Sequence, residues 1–91
     1  MKHLKKAIEE AIDGVGIKSA LKQEAAINLW GDVFGERVSA VTKAERVESG
    51  TLVVRVKTPV WRQELYMQKE EMISKLNKKI GTKAIREIRF I

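Results

Sequence analysis

The sequence predicts a small α/β domain of the α+β kind. The expected order is helix, helix, strand, strand, helix, strand, with helices covering one face of a three-stranded sheet. Three observations predict it. Apolar residues recur at helical spacing before residue 41 and again after residue 59. Between them Leu52, Val54 and Val56 alternate with Arg55 and Lys57, which is strand periodicity with two unlike faces. At Thr58-Pro59 the strand hands over directly to a helix: Thr58 is placed to accept a helix N-terminal N–H, and Pro59 fits the first helical position.

The first predicted helix covers residues 3–13, with Leu4, Ala7, Ile8, Ala11 and Ile12 as its apolar stripe and Gly14 and Gly16 ending it. His3 is the single histidine and sits beside a terminus, where a solvated side chain is the expected state. Ser19 is the candidate N-cap of a second, longer helix. Its stripe is read as Leu21, Ala25, Leu29, Trp30, Val33, Phe34, Val38 and Val41. Gly35 falls inside this pattern. The continued helix is preferred to a break there, with close approach of another backbone as the reason for the glycine.

Lys43–Glu48 is predicted as a short polar strand, paired with 51–57 across the tight Ser49-Gly50 turn. Residues 59–80 are predicted as one helix with the stripe Trp61, Leu65, Met72, Leu76 and Ile80, and Ile73 beside it. Gly81 is its expected C′ residue. A final strand over 84–91 is anchored by Ile85, Ile88 and Phe90. Strand, helix, strand within one sheet implies a crossover that lays the third helix on the sheet.

A chain of 91 residues allows one domain, taken as 1–91. With 44% hydrophobic and 33% charged residues it is globular in composition. No cysteine is present, so there is no disulfide framework and no thiolate metal site, and a cytoplasmic location is expected. Met1–Lys6 is charged but lacks a following apolar segment, so no signal peptide is read, and no apolar run approaches the roughly 20 residues of a membrane span. No membrane partner and no small-molecule substrate are expected.

Material for catalysis is poor. No phosphate-binding glycine loop occurs. The adjacent carboxylates Glu9-Glu10 and Glu70-Glu71 diverge on a helix and cannot share a reacting atom. No metal-ligand cluster and no cofactor motif is visible, so a non-enzyme is expected.

The remaining signal is basic. The formal net charge is +6, which favours nucleic acid or another polyanion as partner. Strand alternation places Arg55 and Lys57 opposite the apolar residues. Lys43 and Arg46 lie on the paired strand, and Arg62 follows within the first turns of the next helix. Lys43, Arg46, Arg55, Lys57 and Arg62 are therefore the candidate nucleic-acid-binding residues. Lys75, Lys78, Lys79 and Lys83 form the competing cluster, read first as compensation of a helix dipole. Trp30, Phe34, Trp61 and Phe90 lie on apolar stripes and are assigned to the core. That leaves Tyr66 as the exposed ring, too few for a base-stacking platform.

The ordered set Trp30-Gly31-Asp32-Val33-Phe34-Gly35, Gly50-x-Leu52-x-Val54-x-Val56, Trp61-x-x-Glu64-Leu65, Leu76-Asn77, Gly81 and Ile85-x-x-Ile88-x-Phe90 resembles the DciA-like family of bacterial replicative-helicase operators. It runs over about two-thirds of the chain. The resemblance implies a KH-like domain, the replicative DNA helicase as partner, and binding of single-stranded or junction DNA. The sequence departs from the family pattern in having Val41-Thr42 where His-Thr is common and Ala44 where Pro is common. Many members also carry a C-terminal extension, and this sequence stops at Ile91. It has no Gly-x-x-Gly, so the backbone clamp of true KH domains is not carried over. Two other readings stand beside this one: a KH-like RNA-binding or ribosome-associated factor, and a protein-interaction adaptor whose charge serves solubility.

Overall fold

A computed structural model describes residues 17–91, with side chains from Leu21 onward. The predicted helix over 3–13 and His3 lie outside the described residues. The elements are α1 (Ile17–Ser39), β1 (Thr42–Glu48), β2 (Thr51–Val56), α2 (Pro59–Met67), α3 (Lys69–Ile80) and β3 (Glu87–Phe90). The strands form one sheet in the order β1-β2-β3, antiparallel between β1 and β2 and parallel between β2 and β3. This is the α/β order expected from the second predicted helix onward.

Strand alternation sorts the sheet into two faces. Ala44–Val54–Phe90 and Val47–Leu52–Ile88 are cross-strand rows turned toward the helices. Ala26 and Trp30 of α1, Leu65 of α2 and Met72 and Leu76 of α3 close over Leu52, Val54, Val56, Ile85 and Ile88. Each large aliphatic side chain buried in this way contributes about 1.5–3 kcal/mol relative to its exposed state. Trp30 also ties α1 to the sheet. Its Nε1–H donates to Thr42 Oγ1 at 2.8 Å, and the Thr42 hydroxyl donates to the Val38 carbonyl at 2.7 Å.

Three local expectations hold closely. Ser49 and Gly50 both take positive φ, 49° and 83°, as a two-residue type I′ hairpin loop requires. Thr58 Oγ1 accepts the Trp61 N–H at 3.1 Å with Pro59 opening the helix. Gly81 adopts the left-handed conformation and donates its N–H to the Asn77 carbonyl.

Four others are corrected. Ser19 lies inside α1 rather than capping it. Lys22, three residues on, cannot complete a capping box with it. The buried stripe of α1 is Ala26 and Trp30, flanked by Ile27, Val33, Phe34 and Val38, while Leu21 is 66% exposed. Gly35 does break the helix: it has φ 83° and ψ 174°, and no atom lies within 4 Å of where its Cβ would stand. Backbone conformation, not close packing, requires the glycine, because that region is closed to residues with a Cβ. Finally, the predicted helix over 59–80 is two helices joined at Gln68. There the N–H turns to the Leu65 carbonyl three residues back, tightening one turn.

Candidate nucleic-acid interface

The sheet face turned away from the helices is a ladder of charge. Cross-strand partners fall on the same side of a sheet, which gives the rows Glu48–Thr51–Glu87, Arg46–Val53–Arg89 and Lys43–Arg55. Val53 is fully buried yet stands outside the main apolar cluster, with Arg46 and Arg89 as its cross-strand partners. Lys57 is exposed just beyond the end of β2. Lys43, Arg46, Arg55 and Lys57 are therefore brought to one exposed surface, and Arg89 joins them. Arg62 does not: α2 packs by Leu65 against the opposite face, so Arg62 belongs to the helical layer.

Glutamates change the electrostatics of this face. The β1–β2 register shifts between Ala44 and Arg46, a β-bulge that adds Glu45 to the charged side. Arg55 grips Glu45 with two hydrogen bonds, Nε to Oε2 at 2.8 Å and Nη2 to Oε1 at 3.3 Å. Arg46 Nε donates to Glu48 Oε1 at 2.6 Å, and its Nη1 stands 3.6 Å from Glu45. The hydrogen bond from Arg55 holds the Glu45 carboxyl below its ordinary value, and the one from Arg46 does the same for Glu48. Two of the candidate cations thus already have anionic partners.

Lys69 and Glu87 form a further pair at 3.1 Å beside Tyr66, whose ring centroid lies 4.9 Å from the Lys69 ammonium. Glu87 also accepts the Ile88 N–H at 2.9 Å, which blunts that position on the sheet's edge strand. Tyr66 is exposed, as expected of the chain's one free ring.

The helical layer carries the second basic surface. Lys75, Lys78 and Lys79 of α3 are exposed and share a groove with Asp32 and Val33 of α1. Lys78 also lines a neighbouring cleft with Lys83 and Arg86. Among the described residues, none of Lys75, Lys78, Lys79, Lys83 or Arg86 has a carboxylate oxygen within 4 Å. Asn77 holds the 81–86 loop in place. Its Nδ2 donates to the Ile85 carbonyl at 2.7 Å and its Oδ1 accepts the Ile85 N–H at 2.9 Å. Arg86 Nη2 donates to the Ser49 carbonyl at 2.7 Å, and the guanidinium lies so close over Gly50 that a Cβ there would meet its Nε at 2.7 Å.

A third feature is apolar. Val60 and Met67, two helical turns apart on α2, are 78% and 76% exposed. Next to them Arg37, Val38, Trp61, Glu64 and Gln68 line a cleft in which the Arg37 guanidinium sits 5.9 Å from the Trp61 ring centroid. Trp61 is half-buried, not a full core residue.

Among the described residues no helix is long and apolar enough to cross a membrane, and no group of His, Asp and Glu is placed to hold a metal ion. Residues 3–90 match the family described as "Dna[CI] antecedent, DciA". The chain belongs to the DciA family. The match covers α1 to β3 and both basic surfaces, so the whole described fold is the family's domain. No curated protein matches the chain significantly.

Proposed function

We propose that this DciA-family chain is a non-catalytic, cytoplasmic DNA-binding module that works with the replicative helicase at replication initiation and holds single-stranded or junction DNA by its phosphates. Family membership carries the helicase half of the reading. One observation carries the DNA half. A chain of net charge +6 displays two exposed basic surfaces, and on one of them the cations have no carboxylate partner among the described residues.

On the sheet face, Lys43, Lys57 and Arg89 have no carboxylate partner within 4 Å among the described residues, while Arg46 and Arg55 first have to share or leave Glu48 and Glu45. Contacts of this kind fix orientation and carry no base identity. The exposed Val60 and Met67 of α2, beside the Trp61 cleft, are the apolar surface suited to a protein partner, and the helicase is the partner proposed for it.

Fluorescence anisotropy with a labelled single strand, a fork, a duplex and an RNA of equal length, across a salt series, tests this reading. Binding to the single strand and fork with a steep salt dependence is expected. The double variant Arg55→Ala, Lys57→Ala should flatten the single-strand slope by only about 0.7, one phosphate contact, because Arg55 is already neutralised. Preference for RNA would favour the ribosome-associated reading, and flat responses to all four would leave the protein adaptor.

A further inference from the structure

The geometry points to the far end of α3 and the 81–86 loop as the principal phosphate-binding strip of the domain, with a cleft that receives one nucleotide of a single strand. This rests on the DNA-binding reading and assigns it to a different surface from the sheet face.

Continuity is the first support. Lys75 and Lys79 stand one helical turn apart, about 6 Å along the axis. Lys78 lines both the groove beside them and the cleft beyond, and Lys83 and Arg86 extend the row past the helix end. A polyanion lying along α3 therefore passes from cation to cation without a gap. Dipole compensation explains lysines on the last helical turn. It does not explain Lys83 and Arg86, which come after Gly81 has ended the helix.

The shape of the cleft is the second support. It holds about 630 Å³, and its lining combines Ile73 and Ile85 with the cations Lys78, Lys83 and Arg86 and the hydroxyl-bearing Ser74 and Thr82. Among the described residues, no carboxylate lines it. The exposed part of the aliphatic wall is Ile73, since Ile85 is 1% exposed, and Ile73 beside cations and hydroxyls suits a nucleotide, whose base is flat and apolar on its faces and whose phosphate needs donors. An acidic peptide would use the cations and leave the wall empty. Duplex DNA keeps its bases stacked inside, so the cleft selects the single strand.

Rigidity is the third support. Asn77 fixes Ile85 through two hydrogen bonds, and Arg86 is held against the hairpin turn, so the loop cations are displayed from a fixed frame. The sheet-face arginines differ, since they are displayed already paired.

The test is fluorescence anisotropy of Lys78→Gln, Lys83→Gln against the wild type and Arg55→Ala, Lys57→Ala, with circular dichroism confirming the fold of each. The ligands are a single-stranded oligonucleotide, an abasic strand of the same length and polyglutamate as competitor. Lys78→Gln, Lys83→Gln should lower single-strand affinity on the order of twentyfold at 0.1 M salt and flatten the slope by about 1.4, twice the effect of the sheet-face pair. The abasic strand should bind more weakly than the normal strand, and polyglutamate should compete poorly. Loss confined to the sheet-face variant would overturn the strip while leaving DNA binding in place. Equal binding of the abasic strand would remove the nucleotide from the cleft, and strong competition by polyglutamate would give the strip to an acidic protein. A wild type that binds no strand would end the DNA reading itself.

Discussion

The two basic surfaces of this DciA-family domain are built from the same residue types and differ in what stands beside them. On the open sheet face, Arg46 and Arg55 face glutamates delivered by neighbouring positions of β1, and the pairs are made before any ligand arrives. On α3 and the 81–86 loop, Lys75, Lys78, Lys79, Lys83 and Arg86 pair with no carboxylate among the described residues, although Asp32 shares the groove of the first three. Counting cations along a sequence ranks the surfaces nearly equal. Counting free cations in space separates them, and a phosphate backbone responds to free charge.

The largest effect would come from breaking the frame both surfaces share. Trp30→Ala removes a buried indole and its hydrogen bond to Thr42, and should cost about 3–5 kcal/mol. Thermal unfolding checks it, and both surfaces should lose binding together. A midpoint near wild type would mean that α1 is not anchored where the structure places it.

A smaller change should damage one surface alone. Asn77→Ala leaves the buried Ile85 backbone without its partners, at a cost of about 1–3 kcal/mol. Hydrogen exchange at the Ile85 amide should speed up and single-strand affinity should fall, while exchange along β1 stays unchanged. Equal loosening of β1 would show that the loop is not an independent support.

The comparison also depends on details of sequence that single-residue pattern reading passes over. The hairpin, the Thr58-Pro59 helix start, Gly81 and most of the core were legible, because turn chemistry, capping and two-residue alternation are local. The β-bulge was not, although Ala44 and Val47 are spaced three apart where strict alternation demands two. That odd spacing is the signal that would have put Glu45 on the charged face. Arg62 is set apart from the other candidates because the helix that Pro59 opens carries it into the helical layer, although it stands only five residues from Lys57. Gly35 was recognised as exceptional but given the wrong cause, since a positive φ and a close neighbour leave the same mark in a sequence. The pairing of Arg55 with Glu45 spans ten positions, and only the register reveals it.

The glutamates give a way to reverse the difference between the surfaces. Glu45→Gln, Glu48→Gln releases Arg55 and Arg46, so single-strand affinity should rise and the salt slope should steepen by up to about 1.4. Anisotropy measures both. No gain would mean that the sheet face does not meet DNA at all.

Acid should do the same reversibly, with a smaller effect. Glu45, Glu48 and Glu87 have carboxyls held below the ordinary value by Arg55, Arg46 and Lys69 respectively. Their contribution to stability is therefore present above the unfolded-state value and is lost as pH falls through the lowered folded one. Below the usual glutamate range the unfolding midpoint should drop slightly while sheet-face affinity rises. Rising affinity already near pH 6 would contradict the direction of these shifts.

The most direct test of the two-surface account is a ¹H–¹⁵N correlation titration with a short single-stranded oligonucleotide at moderate salt. The largest and earliest shifts should fall on residues 73–86 and on Asp32 and Val33 across the groove, with weaker, later shifts at Lys43, Lys57 and Arg89. Dominant shifts along 43–57 with a silent α3 would contradict the account and return the DNA to the sheet face.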